Sequence, residues 1–128
     1  MLAAYVPSAA GEAALEFAIR EASVRSEDLI VVNSSRGDSA VDDRIATDSD
    51  VARIAEFAEQ AGVKFEYRQV QHGRAASADI VDVADEVSAT LIVIGSRGRS
   101  PLGKLLLGSA ALEVLSHARQ PVVTVKTP

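Results

Sequence analysis

The amino-acid sequence predicts a doubly wound α/β sandwich, a parallel β-sheet covered on both faces by helices. Three observations carry this prediction. Short apolar runs such as "LIVV" at 29–32 and "LIVI" at 91–94 alternate with longer stretches whose apolar residues recur at helical spacing. Strands that alternate with helices join in parallel through right-handed crossovers, which puts helices on both faces in a Rossmann-like arrangement. The chain has 128 residues, 48% of them hydrophobic and 4% aromatic. That length suits one domain over residues 1–128, with a core built from Val, Leu, Ile and Ala.

The elements follow in order. Met1 to Val6 reads as a short buried strand. Ser8 caps a helix in which Leu15, Ala18, Ile19 and Ala22 fall on one face. Leu29 to Val32 is the second strand, and the polar segment "NSSRGDSAVDDRIATDSD" after it reads as a loop ending in a helix cap at Thr47 or Ser49. Val51, Ile54, Ala55 and Ala58 line the next helix, which stops at Gly62. "VKFEYRQV" at 63–70 alternates apolar and polar residues, as a strand at a sheet edge does. A third helix runs from about Ala76 to Ser88 with Ile80, Val83, Ala84 and Val87 inward. Leu91 to Ile94 is the fourth strand. Ala111, Val114, Leu115 and Ala118 mark the fourth helix, and "PVVTV" at 121–125 is the last strand.

Between the fourth strand and the fourth helix lies "GSRGRSPLGKLLLGS", residues 95–109, with four glycines, three cationic side chains and three serines. In a doubly wound sheet, ligands sit at the carboxyl ends of strands near the switch in strand order, and this stretch starts at such an end. Gly98 to Lys104 fits the pattern G-x-x-x-x-G-K of a P-loop. That reading fails because Leu105 stands where the Mg2+-binding hydroxyl belongs, because Gly95-Ser96-Arg97 separates Gly98 from the strand, and because 24 residues remain after Lys104. A different cradle is simpler. Gly95 and Gly98 keep the strand end clear of Cβ atoms so that a ligand can approach, with a long loop after them. Gly108 and Ser109 open a helix whose free N–H groups and dipole favour an anion. On spacing alone, a turn and an ordinary helix start remain an equal reading.

G-x-x-G, nine residues, then G-[ST] stands here as Gly95-Ser-Arg-Gly98, nine residues and Gly108-Ser109. With it, the segments "VPSAAGEAALEFA", "ADIVDVADEVSATLIVIGSRGRS" and "ARQPVVTV" make nearly the whole chain resemble the universal stress protein family, in its ATP-binding branch. The resemblance implies a five-stranded parallel sheet in the order 3-2-1-4-5. It also implies an adenine nucleotide as ligand, most readily ATP, with AMP or ADP as alternatives and Mg2+ accompanying ATP. The phosphates and part of the ribose would lie against Gly95, Ser96, Arg97, Gly98, Arg99, Gly108, Ser109 and Ala110. The base would lie near Tyr5, Val6, Pro7, Ser8, Asn33, Ser34 and Ile94. Binders of this family usually carry an aspartate where this chain has Val6. Losing such a charge-assisted hydrogen bond costs about 1.5–3 kcal/mol. The expected role is regulatory, in stress response. The alternatives are a dimeric adaptor of the same fold that binds no nucleotide and a slow ATP hydrolase.

Other features point to simpler roles. Asp79, Asp82 and Glu86 are expected on the solvated face of the third helix, and Asp42, Asp43, Asp48 and Asp50 as cap and solvent residues. His117 suits a helix C-terminus, and His72 a turn before Gly73. No nucleophile–base pair, paired acids or metal-ligand spacing emerges, so no catalytic residue and no metal site is assigned. A net charge of −5 argues against nucleic acid and anionic lipid as partners. The chain contains no cysteine, which fits a reducing compartment, and it shows neither a signal peptide nor an apolar run of ~18 residues. A soluble cytoplasmic protein is expected. The last strand, Pro121, Val122, Val123, Thr124 and Val125, is β-branched and almost uncharged. The family's strand order puts it at an edge, so the expected partner is a second copy paired along it, besides an unidentified client protein.

Overall fold

A computed structural model describes residues 1–34, 45–71, 73–96, 98–99 and 105–127. The elements are β1 (Leu2–Ala4), α1 (Ala9–Arg25), β2 (Leu29–Ser34), α2 (Asp48–Gln60), β3 (Phe65–Val70), α3 (Ala76–Glu86) and β4 (Ile92–Gly95). After these come β5 (Gly98–Arg99), β6 (Leu105–Leu106), α4 (Ser109–His117) and β7 (Val122–Val125). The main sheet has five parallel strands in the order β3-β2-β1-β4-β7. This is the predicted order 3-2-1-4-5, with β7 as its fifth strand.

The pleat of the sheet divides the core in two. Ala3, Val31 and Val93 face Ala14, Ala18 and Ile19 of α1 and Ile54 and Ala58 of α2. Their neighbours Leu2, Val32, Ile92 and Ile94 face Ile80, Val83 and Ala84 of α3 and Ala111 and Val114 of α4. Period-2 strands laid against period-3.6 helices bury both sets at once.

Local signals set the helix ends. The Ser8 side chain accepts from the Gly11 N–H at 3.0 Å and starts α1. Of the two candidate caps for α2, Thr47 is the one used, in a reciprocal box with Asp50. Gly62 follows α2 with φ +71, a conformation that glycine adopts without strain.

One difference from the sequence reading lies in the glycine-rich stretch. Its two flanks form a small antiparallel ribbon, with Gly98 opposite Leu106 and Arg99 opposite Leu105, where a loop is expected from sequence. The two flanks are thereby drawn together after β4.

Candidate functional site

β1 lies between β2 and β4, so the chain reverses its direction of travel across the sheet at the β1/β4 boundary. The carboxyl end of β4 meets the start of α1, where Gly95 lies against Ala10, and Ile94 shares a core cluster with Ala111 in the first turn of α4.

The start of α1 is pressed into this corner. A Cβ on Gly11 would stand 1.8 Å from the Val6 carbonyl oxygen, and one on Gly95 would stand 2.1 Å from that of Ala10. The reason given above for Gly95 therefore changes. Its missing Cβ makes room for the backbone of the first turn of α1, so packing alone requires a glycine there. A second close approach, of Gly11 to the Val6 backbone, holds the first turn of α1 against the segment that follows β1, and nothing in the sequence signalled it.

Beyond Gly95, Ser96 is wholly buried, and its Oγ has no hydrogen-bond partner among the described residues. Its backbone is satisfied by the far end of the chain. The Ser96 N–H donates to the Val125 carbonyl at 2.9 Å, and Thr127 Oγ1 donates to the Ser96 carbonyl at 3.2 Å. Alternation from Ile92 and Ile94 puts the Ser96 side chain on the face that α4 covers. There α4 begins with Gly108 as N-cap at φ −67 and ψ 161, with no side-chain cap. Its first helical bond runs from Leu112 N to the Gly108 carbonyl, which leaves the N–H groups of Ser109, Ala110 and Ala111 without a partner inside the helix. A buried hydroxyl lacking a partner costs about 1–3 kcal/mol, and an uncapped helix start favours negative charge. Both features lie on the α4 face of the sheet, and the donors of this corner suit an anion.

The other expected site residues are more occupied. The Asn33 side chain donates to the Tyr5 carbonyl at 2.8 Å and accepts from the Ala46 N–H at 3.0 Å, tying β1 to the entry of α2. Tyr5 turns its ring into the core under α1. Its hydroxyl donates to Glu12 at 2.7 Å and accepts from Arg53 at 3.2 Å. Burial first, and then the Glu12 hydrogen bond, raise the phenol above its ordinary range. Ser34 Oγ donates to Asp79 at 2.7 Å. Val6 and Pro7 are half-buried after β1, whereas Ile94 is buried in the core under α3 and α4. Arg97, His72, Lys104, Asp42 and Asp43 lie outside the described residues, and Gly98 and Arg99 are placed by their backbone pairing.

Asp79 overturns an expectation. It is 1% exposed, accepting from Ser34 and from Arg74 Nε at 2.9 Å, while Asp82 pairs with Arg74 and Glu86 with Arg68. On a helical wheel Asp79 stands about 40° from Val83, at the margin of the apolar stripe. The first turn of α3 ends over the polar tips of the strands, so that margin is covered by protein and not by water. Arg74, five residues earlier, was the available sequence signal.

The sequence profile of the Universal stress protein family matches residues 1–126. This chain belongs to that family. A universal stress protein of Mycolicibacterium smegmatis is 41% identical over 116 residues, covering 91% of this chain and 88% of the relative. A universal stress protein of Archaeoglobus fulgidus superposes with a TM-score of 0.78 at 34% identity, covering 98% of this chain and 96% of the other. A structure of the universal stress protein from Archaeoglobus fulgidus in complex with dAMP superposes at 0.72 with 31% identity, covering 98% and 95%. No helix among the described residues is long and apolar enough to cross a membrane.

Proposed function

We propose that this universal stress protein is a regulatory module that binds an adenine nucleotide, with ATP as the expected ligand and Mg2+ as its companion. The observation that carries the proposal is the buried, unpartnered Ser96 hydroxyl on the face where α4 starts uncapped. Phosphate oxygens are acceptors, and that corner offers a hydroxyl and helix N–H donors to them. Gly95, Ser96, Arg97, Gly98, Arg99, Gly108, Ser109 and Ala110 form the phosphate and ribose side. On the base side, Tyr5, Asn33 and Ser34 already spend their polar side-chain groups within the protein. Contacts there come from backbone and from the apolar surface of Val6 and Pro7, with Ser8 at the head of α1 and Ile94 packed in the core. The dAMP complex of the Archaeoglobus fulgidus protein supports an adenine nucleotide as the ligand class.

The module is proposed to act in the cytoplasm as a homodimer paired along β7, next to which α4 exposes Leu112 and Leu115. A client protein would read its nucleotide state. The internally satisfied base side, with Val6 in place of an acid, favours one second reading, a dimeric adaptor that binds no nucleotide.

Isothermal titration with Mg-ATP, combined with chemical denaturation, tests the proposal on Ser96→Ala and Gly108→Val. Removing an unsatisfied buried hydroxyl stabilises the free protein, by up to about 1–3 kcal/mol, while removing a phosphate donor weakens binding. Ser96→Ala is therefore expected to be more stable than the wild type and to bind ATP more weakly, and Gly108→Val to lose binding. A wild-type protein that gives no binding signal with ATP, ADP or AMP would establish the adaptor reading.

A further inference from the structure

We infer that Lys126 is a specificity-determining residue of the anion corner, a cation that reads the charge of the phosphate chain. This rests on the nucleotide-binding reading above and adds to it the residue that distinguishes triphosphate from monophosphate.

Position is the first argument. Ser96 donates its N–H to the carbonyl of Val125, and its carbonyl accepts from the hydroxyl of Thr127. Lys126 lies between those two tethers, so its backbone is held abreast of Ser96.

The face of the sheet is the second. Across the parallel ladder Ile92 stands beside Val122, Ile94 beside Thr124 and Gly95 beside Val125. Val122 packs with the core under α3 and α4, whereas Val123 and Val125 pack with the core under α1. Continued alternation directs Lys126 to the α4 side, the side of the Ser96 hydroxyl and the uncapped α4 start.

The third argument is charge. Among the described residues, Arg20, Arg25, Arg53, Arg68 and Arg74 each pair with a carboxylate. Lys64 and Arg119 precede β3 and β7, at the amino ends of the strands. Lys126 stands at the carboxyl end, exposed, and makes no ion pair among the described residues. An ammonium on a flexible stem acts as a point charge, so it responds to how much negative charge a ligand carries rather than to the shape of its base.

Titration of ATP and AMP into the wild type, Lys126→Gln and Lys126→Arg tests this inference. Lys126→Gln is expected to weaken ATP about five- to tenfold and AMP less than about twofold, with Lys126→Arg close to the wild type. The side chain is exposed, so all three proteins should have the same melting temperature. Unchanged ATP affinity in Lys126→Gln, or equal losses for ATP and AMP, would overturn the inference and leave nucleotide binding standing. A wild-type protein that binds neither ligand would overturn both.

Discussion

Gly11 illustrates how much a single position can depend on backbone proximity. The Cβ of an alanine there would lie 1.8 Å from the Val6 carbonyl oxygen, and neither partner is a side chain that can rotate away. Gly11→Ala is expected to cost about 1–3 kcal/mol or more in urea denaturation, since α1 must lift from the strand ends. Asp79 works differently. Asp79→Ala leaves the buried Ser34 hydroxyl without its acceptor, whereas Arg74 is half exposed and regains water. A loss of about 1–3 kcal/mol is expected, read from the shift in denaturation midpoint. Neither role was legible from the residue alone, although Arg74 offered a signal for Asp79. A glycine in a predicted helix and an aspartate beside an apolar stripe show their roles only when the neighbouring strand end is in place.

At the scale of the elements, caps and periodicity were legible, and pairing between short segments was not. The α2 cap was narrowed to two residues from sequence, and the reciprocal bonds of Thr47 and Asp50 select one of them. The backbone N–H of Thr47 is the largest influence on the Asp50 carboxyl, and with the Thr47 hydroxyl and Arg53 it holds the group below its ordinary value. A depressed carboxylate stabilises the fold above its unfolded pKa, and that contribution disappears as the pH falls through the lower folded value. Urea midpoints of the wild type are therefore expected to fall on acidification through and below the ordinary aspartate range, and those of Asp50→Asn to fall less steeply. Thr47→Ala should cost about 1 kcal/mol at neutral pH. The β5–β6 ribbon was missed because a two-residue strand is too short to show alternation.

For the molecule as a whole, β3 and β7 are the two edges of the main sheet, and β7 is the β-branched, almost uncharged one. It borders β4 on one side only, and each of its four residues is half-buried. The carbonyls of Pro121 and Val125 point to β4, accepting from Ile92 and Ser96, so alternation turns the N–H groups of Val122 and Thr124 outward. Thr124→Pro removes an outward donor and spares the ladder to β4. If two copies pair along this edge, the wild type should sediment as a dimer and Thr124→Pro as a monomer at the same concentration. A wild-type monomer would remove β7 as the docking edge.

The sequence by itself determined the strands and helices of the main sheet, their parallel connection and the glycine-serine stretch at a strand end. Periodicity, caps and right-handed crossovers are local or topological constraints that residue order carries directly. Family resemblance added the strand order. Only the tertiary structure decided which groups at the strand ends were still free to bind. Asn33, Ser34 and Tyr5 look like binding residues in the sequence, yet their polar side-chain groups bond to partners brought from 7 to 48 positions away. Ser96 was expected on the phosphate side from the family resemblance alone, and the structure adds that its hydroxyl is buried without a partner among the described residues. Whether a polar atom is satisfied depends on what the fold brings within hydrogen-bond distance, and the local sequence does not contain that information.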